Sequence, residues 1–167
     1  MPIPVGGVQR GLTLLVGAWG YPPEYIHNFS GRGGDSRHQG ANMDETTRNA
    51  LKIDMTIDIT TTGRKSGEPC RMEIWSHYFD DRLIVTGSPG RRGWYANLVE
   101  HPEFTYHLKD DLKADLPATA TPVTEESERR AILSRLRDIS PFRQEQGMDD
   151  LEAWVTGSPM VIVTLAG

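Results

Sequence analysis

Two glycine-containing loops of the sequence carry the residue types that bind anions. Residues 62–67 (Thr-Gly-Arg-Lys-Ser-Gly) set two cations and a hydroxyl between glycines, which permit unusual backbone angles. Residues 87–93 (Gly-Ser-Pro-Gly-Arg-Arg-Gly) run into a predicted helix, whose first N–H groups and dipole favour negative charge. Each loop alone is equally compatible with a solvated turn. Together, in a chain of net charge -5, they predict a site for phosphate or carboxylate.

Other reactive sites find less support in the sequence. The five histidines, at positions 27, 38, 77, 101 and 107, show no HxxxH or HxH spacing, so no local metal site is predicted. The one cysteine, Cys70, excludes an internal disulfide and a thiolate metal cluster. Ser88 lies in Gly-Ser-Pro-Gly rather than in the G-x-S-x-G motif of hydrolases. A glycosidase carboxylate pair cannot be chosen, because the separation that defines it is spatial.

Length and charge narrow the class of protein. A chain of 167 residues fits one domain, and its acidic balance argues against a nucleic-acid partner. Residues 11–19 are apolar but shorter than the ~18 residues of a membrane span, and no clean signal-peptide cleavage site follows. We therefore predict a cytoplasmic protein without an integral membrane segment, which suits its single cysteine.

The first 42 residues differ in character from the rest of the chain. They are rich in glycine and proline, and residues 29–40 have little apolar content to offset the entropy of ordering. We predict that residues 1–42 are a disordered N-terminal extension or precede a natural start at Met43. Residues 43–167 are predicted to form one cofactor-binding domain.

Alternating patterns after Met43 predict an antiparallel barrel with helices packed outside it. Strands are predicted over residues 56–62, 70–79, 82–86, 104–108, 113–123 and 160–165. Helices are predicted over residues 44–52, 94–100 and 149–155, and after Thr124 as the cap, with an apolar stripe of Ile132, Leu133, Leu136 and Ile139. Asp80 and Asp81 supply a hairpin turn. The strand over residues 70–79 has one apolar face, and its other face (Arg71, Glu73, Trp75 and His77) is predicted to lie outside the core.

Several segments taken together resemble the deazaflavin-dependent nitroreductase family. They are residues 60–69 (TTTGRKSGEP), 71–75 (RMEIW), 87–93 and 94–98 (WYANL), followed by Pro102. The resemblance covers about residues 43–167. It implies an α+β, mainly β fold, a split β-barrel of about six antiparallel strands related to flavin-binding pyridoxamine-phosphate oxidases. It also implies coenzyme F-420, an 8-hydroxy-5-deazaflavin with a phosphate and an oligoglutamate tail.

The resemblance further implies which residues bind the cofactor. Arg64, Lys65 and Ser66 would hold the anionic tail. The residues that would underlie the ring and complete its groove are Arg71, Met72, Glu73, Ile74, Trp75, Thr86, Gly87, Ser88, Pro89, Arg92, Trp94, Tyr95 and Asn97. Relatives usually have arginine at the position of Cys70, and Arg71 cannot replace it because neighbouring strand residues face opposite ways.

The implied reaction is hydride transfer to a small electron-poor molecule such as a quinone, a nitroaromatic or an enone. The cofactor carries this chemistry, so no catalytic side chain is required. His77 and Tyr106 are candidate proton donors, and each is also compatible with an ordinary strand position facing solvent or a partner subunit. The same barrel fits two other functions, an FMN- or haem-binding reductase or oxidase and a non-catalytic barrel with an apolar ligand. A homodimer is compatible with either function.

Overall fold

The computed structural model describes residues 43–53, 55–139 and 148–166, and the predicted N-terminal extension lies outside them. Within these ranges the strands are β1 (Thr56–Thr62), β2 (Pro69–Phe79), β3 (Arg82–Thr86), β4 (Glu103–Leu108), β5 (Ala114–Pro122) and β6 (Met160–Leu165). The helices are α1 (Glu45–Ile53), α2 (Gly93–Glu100), α3 (Glu126–Ile139) and α4 (Leu151–Gly157). The strands close into an antiparallel barrel in the order β1-β2-β3-β6-β5-β4, which confirms the predicted fold class. None of the helices among the described residues has the length and apolar character that a membrane span requires.

The barrel interior is filled by every second residue of the strands, as alternation requires. In β1 the buried positions are Ile57, Ile59 and Thr61, and in β4 they include Tyr106, which is fully buried. Trp94 and Leu98 of α2 join the same apolar cluster. Helix α2 is therefore fixed against the barrel by its apolar face.

A second apolar cluster lies between the barrel and the helices α3 and α4. It contains the predicted stripe of α3 together with Phe79, Ile84 and Trp154. The prediction that the odd-numbered face of β2 lies outside the core is wrong at His77, which is 4% exposed. Two residues further on, Phe79 packs into this cluster, so this end of the face is covered.

Local residues determine one hairpin turn and the beginning of one helix. Asp80 and Asp81 both have positive φ, 49° and 54°, as in the two-residue hairpin turn that was predicted. The predicted cap of α3 is wrong: the carboxylate of Glu125, not Thr124, accepts the N–H of Glu128 at 2.9 Å. Glu125 directly precedes the helix, and its longer side chain reaches the third residue.

The first half of β2 has no partner from β3. Residues from Pro69 to Trp75 pair with β1, but β3 pairs with β2 only from Ser76 to Phe79. The first half of β2 therefore extends beyond the end of β3, next to the loop that leads into α2.

Candidate functional site

A groove of about 200 Å³ lies where β2 and β3 separate. Its lining residues come from β2, from the end of β3 and the loop after it, and from the beginning of α2. They are Met72, Ile74, Trp75, Thr86, Gly87, Ser88, Arg92 and Trp94. All eight belong to the set implied by the family resemblance, so the fold brings together residues up to 22 positions apart in sequence.

The surface of the groove is largely apolar and held in place by the core. Ile74 packs against the barrel cluster, and Trp94 is only 4% exposed. The Trp94 ring also meets the Tyr95 ring edge-on, with centroids 5.8 Å apart. A rigid apolar surface of this kind suits a planar ring.

Backbone groups of β2 supply polarity along the same groove. The N–H of Ser76 bonds to the carbonyl of Met55, 2.8 Å away and toward β1. Because backbone groups alternate in direction along an antiparallel strand, those of Glu73 and Trp75 point away from β1, toward the gap left by β3. Trp75 lines the groove, and the main-chain groups of Glu73 point toward the same gap.

The side chains of Arg71 and Glu73 lie on the opposite face of β2. Arg71 Nε donates to Asp58 Oδ2 at 3.0 Å, and Lys109 Nζ bonds to Asp58 Oδ1 at 2.8 Å and to Glu73. The hydrogen bond from Lys109, supported by that from Arg71, holds the pKa of Asp58 below its usual value of 3.8 despite partial burial. The structure does not bring these two side chains to the groove.

The loop before α2 is anchored by the connection between α4 and β6. Thr86 Oγ1 donates to the carbonyl of Pro159 at 2.8 Å, and the N–H of Gly90 bonds to the carbonyl of Gly157 at 3.0 Å. Gly90 has φ +121°, which side chains rarely allow. Pro89 packs against Gly157, where an added Cβ would lie 3.2 Å from the proline ring. The loop is thereby fixed in the position that directs Arg92 to the groove.

Asn97 links the loop of residues 62–67 to α2. Its Oδ1 accepts the N–H of Arg64 at 3.1 Å, and its Nδ2 donates to Thr61 Oγ1 at 3.1 Å. Asn97 does not line the groove, and no sequence pattern predicted this bridge. The side chains of Arg64 and Lys65 are exposed, and no carboxylate among the described residues lies within ion-pair distance of them. The two cationic loops, residues 62–67 and residues 87–93, therefore both lie next to α2.

Ser66 lies in the turn between β1 and β2, and Cys70 lies at the beginning of β2. Ser66 Oγ accepts the N–H of Glu68 at 3.2 Å, so part of its bonding capacity serves the turn. Cys70 is exposed, with Sγ 3.7 Å from the carbonyl oxygen of Glu68. A larger polar side chain at position 70 would reach solvent rather than the core.

The candidate proton donors lie away from the groove. Tyr106 donates its buried hydroxyl to Ser76 Oγ at 2.7 Å, inside the barrel, and His77 is buried on the outer face. No lining residue of the groove carries a carboxylate, imidazole, thiol or phenol. Among the described residues no group of three His, Cys, Asp or Glu side chains is placed to hold a metal ion.

Tyr95 lines a second cavity, of about 570 Å³, which shares Arg92 with the groove. The apolar surface, the main-chain polar groups and the flanking cations fit a planar heterocycle with an anionic tail. These are the contacts that coenzyme F-420 requires.

Comparison with known proteins identifies the family of the chain. Residues 32–155 match the family model described as F420H(2)-dependent quinone reductase, a match that includes residues 32–42 of the predicted extension. No curated protein matches the chain.

Three solved structures share the fold. An F420 reductase is 16% identical, with 75% of this chain and 97% of that chain covered and a TM-score of 0.51. An FAD-binding protein from Mesorhizobium loti is 11% identical over 75% and 91% of the two chains, with a TM-score of 0.52. The FAD and haem binding protein from Mycobacterium smegmatis is 14% identical over 75% and 72%, with a TM-score of 0.53. These structures agree in fold with the barrel. The family match over residues 32–155 confirms the family resemblance: the chain belongs to the F420H2-dependent quinone reductase family and is an enzyme, an oxidoreductase that uses coenzyme F-420.

Proposed function

We propose that the protein reduces a small electron-poor acceptor at the groove between β2 and α2, and that quinones are its preferred acceptors. The observation that carries this proposal is the composition of the groove, an apolar surface without any carboxylate, imidazole, thiol or phenol. The hydroxyls of Thr86 and Ser88 have no base beside them in this lining to activate them for hydrolysis or group transfer. A quinone requires no such activation, because its reduction needs only a hydride and a proton.

The cofactor would be held by three kinds of contact. Met72, Ile74 and Trp94 would pack against the ring, and main-chain groups of Glu73 and Trp75 would bond to its polar edge. Arg92 on one side of α2, with Arg64 and Lys65 on the other, would pair with the phosphate and the acidic tail. Charge-assisted bonds of this kind are the stronger hydrogen bonds in proteins.

Reduced coenzyme F-420, when bound, supplies a hydride from its ring carbon and a proton, and a quinone that accepts both becomes the hydroquinone. The chain itself orients the two ring systems and excludes water from the apolar surface. Its main-chain groups along β2 fix which edge of the ring is buried. The rigid anchoring of residues 86–90 to the α4–β6 connection keeps this geometry in place before the acceptor arrives.

A comparison of acceptors tests this proposal. The purified protein is mixed with reduced coenzyme F-420 and either menadione, a nitroaromatic or an enone, and oxidation of the cofactor is followed by absorbance. We expect the highest kcat/KM with menadione. A higher kcat/KM with the nitroaromatic or the enone would overturn the assignment to quinones, and FMN supporting the reaction better than coenzyme F-420 would overturn the assigned role of the groove.

We also propose that the protein works in the cytoplasm. Cys70 is an exposed free thiol, which is typical of proteins from reducing compartments. Fractionation of cells that produce the protein, followed by immunodetection, tests this proposal, and recovery from the extracellular fraction would contradict it.

A further inference from the structure

The second cavity is strongly cationic. Three arginines line it, Arg91 and Arg92 from the loop before α2 and Arg129 from α3, and no aspartate or glutamate lies among its lining residues. Tyr95 and Val123 add apolar surface. A volume of about 570 Å³ is in the range of small-molecule sites and exceeds the needs of a bare inorganic ion. These properties suit an organic anion.

Arg129 is the most unusual of the three arginines because it is buried, at 8% exposure, without a counter-charge. Its guanidinium donates to the carbonyls of Val155 at 2.6 Å, Val123 at 2.8 Å and Ser158 at 2.6 Å, with a longer contact to Trp154 at 3.4 Å. Carbonyl oxygens satisfy N–H donors but do not neutralise a full positive charge. No carboxylate among the described residues forms an ion pair with it, whereas buried charges are usually paired.

The acidic residues nearest in sequence to Arg129 are engaged elsewhere. Glu128 pairs with Arg82 at 3.3 Å, and Glu126 pairs with Arg130 at 3.0 Å. The charge of Arg129 is therefore left to act on whatever enters the cavity. The low polarisability of its buried surroundings strengthens that attraction.

Arg92 connects this cavity to the groove, because it lines both. Its Nη1 donates to the carbonyl of Arg91 at 3.2 Å, which holds the side chain over the loop. Arg91 is exposed and has no carboxylate partner among the described residues. An acceptor whose ring stacks on the cofactor ring at the groove can thus extend a carboxylate past Arg92 to the forked donors of Arg91, a geometry that guanidinium groups favour.

We propose that the second cavity binds an anionic group of the acceptor, so that the preferred substrates are quinones that carry a carboxylate. This inference rests on the proposed function. The acidic tail of the cofactor also carries carboxylates, so it is the alternative occupant of this cavity. We assign the acidic tail to Arg64 and Lys65, which Asn97 joins to the second turn of α2. The phosphate is assigned to Arg92, which lines both cavities, and the rest of the cavity at the α4 end of the site to the acceptor.

Two matched acceptors test this inference: 3-(3-methyl-1,4-naphthoquinon-2-yl)propanoic acid and its methyl ester. The saturated linker keeps the two ring potentials close. We expect kcat/KM for the acid to exceed that for the ester by roughly tenfold, as one charge-assisted hydrogen bond provides. Arg91→Gln should remove this preference while the ester is reduced as before, and Arg91→Lys should keep part of it. Lys113→Gln, which removes an exposed cation outside both cavities, should change neither rate.

A binding measurement without the cofactor gives a second readout. Titration calorimetry of the acid against the protein alone should show a Kd about tenfold weaker in Arg91→Gln, with an unchanged thermal melt. Equal kcat/KM for acid and ester in the native protein would overturn the inference and leave the proposed function standing. Reduction of neither acceptor would overturn the proposed function, and calorimetry would still decide whether the cavity binds the acid.

The cofactor tail is tested as an alternative occupant. Binding of coenzyme F-420 is compared with binding of the deazaflavin that lacks the phosphate and the tail. If Arg91→Gln weakens only the binding of the complete coenzyme, the cavity holds the tail and the inference is wrong. We expect Arg91→Gln to leave both affinities unchanged.

Discussion

Replacement of Arg129 by methionine should destabilise the protein severely. The substitution keeps a side chain of similar length but leaves the carbonyls of Val123, Val155 and Ser158 without their donor. Hydrogen bonds to a charged group contribute about 1.5–3 kcal/mol each, so three of them amount to roughly 4–9 kcal/mol. Removal of the guanidinium also removes its own desolvation cost, and we expect a net loss of about 3–5 kcal/mol. This approaches the whole stability of many small domains, about 5–15 kcal/mol.

Urea unfolding followed by circular dichroism measures this loss. The matched control is Arg130→Met, one position along the same helix, where the guanidinium is exposed and pairs with Glu126 and Glu152. The loss of stability in Arg130→Met should be small, because exposed ion pairs contribute little to stability. Arg129→Lys should fall between the two, since an ammonium can serve some of the carbonyls. The reasoning is refuted if Arg129→Met loses no more stability than Arg130→Met.

Three further predictions concern the cofactor and acid stability. Lys65→Gln and Arg92→Gln should each weaken the binding of coenzyme F-420 about tenfold, as measured by fluorescence titration. This weakening should be smaller at high salt, because salt screens exposed charges. Unchanged affinity in both variants would place the cofactor elsewhere. Cys70→Arg should tighten that binding without lowering the thermal melt, because position 70 is exposed; weaker binding would contradict this. Asp58 has a folded-state pKa below its usual 3.8, so its contribution to stability is complete above that pH and is lost as the pH falls through the folded-state pKa. Below pH 3.8 the free energy of unfolding, measured with urea, should therefore fall less in Asp58→Asn than in the native protein. An equal fall in both would show that Asp58 does not contribute to the acid sensitivity.

The alternating strands could be predicted because each is a local pattern. Met72 and Ile74 share the face of β2 that lines the groove, as period-two alternation required. The family resemblance treated residues 71–75 as one block, and the structure separates the side chains of Arg71 and Glu73 onto the other face. The sequence alternation had already placed them there.

Long-range contacts account for what the sequence did not predict. Asn97 meets Arg64 across 33 positions, and Arg129 meets Ser158 across 29, so no local pattern records either contact. For Arg129 one signal was available. It lies three and four residues before Ile132 and Leu133, on the buried face of α3, where a charged side chain must find acceptors.

The anchoring of the loop before α2 by Gly157 and Pro159 has a consequence for synthesis of the protein. A nascent chain that ends before Gly157 has β1, β2 and α2 but lacks the carbonyls that hold residues 86–90. It also lacks β6, the strand beside β3. The wall of the groove therefore forms only when this segment has left the ribosome, so the cofactor site is completed later than the synthesis of β1, β2 and α2.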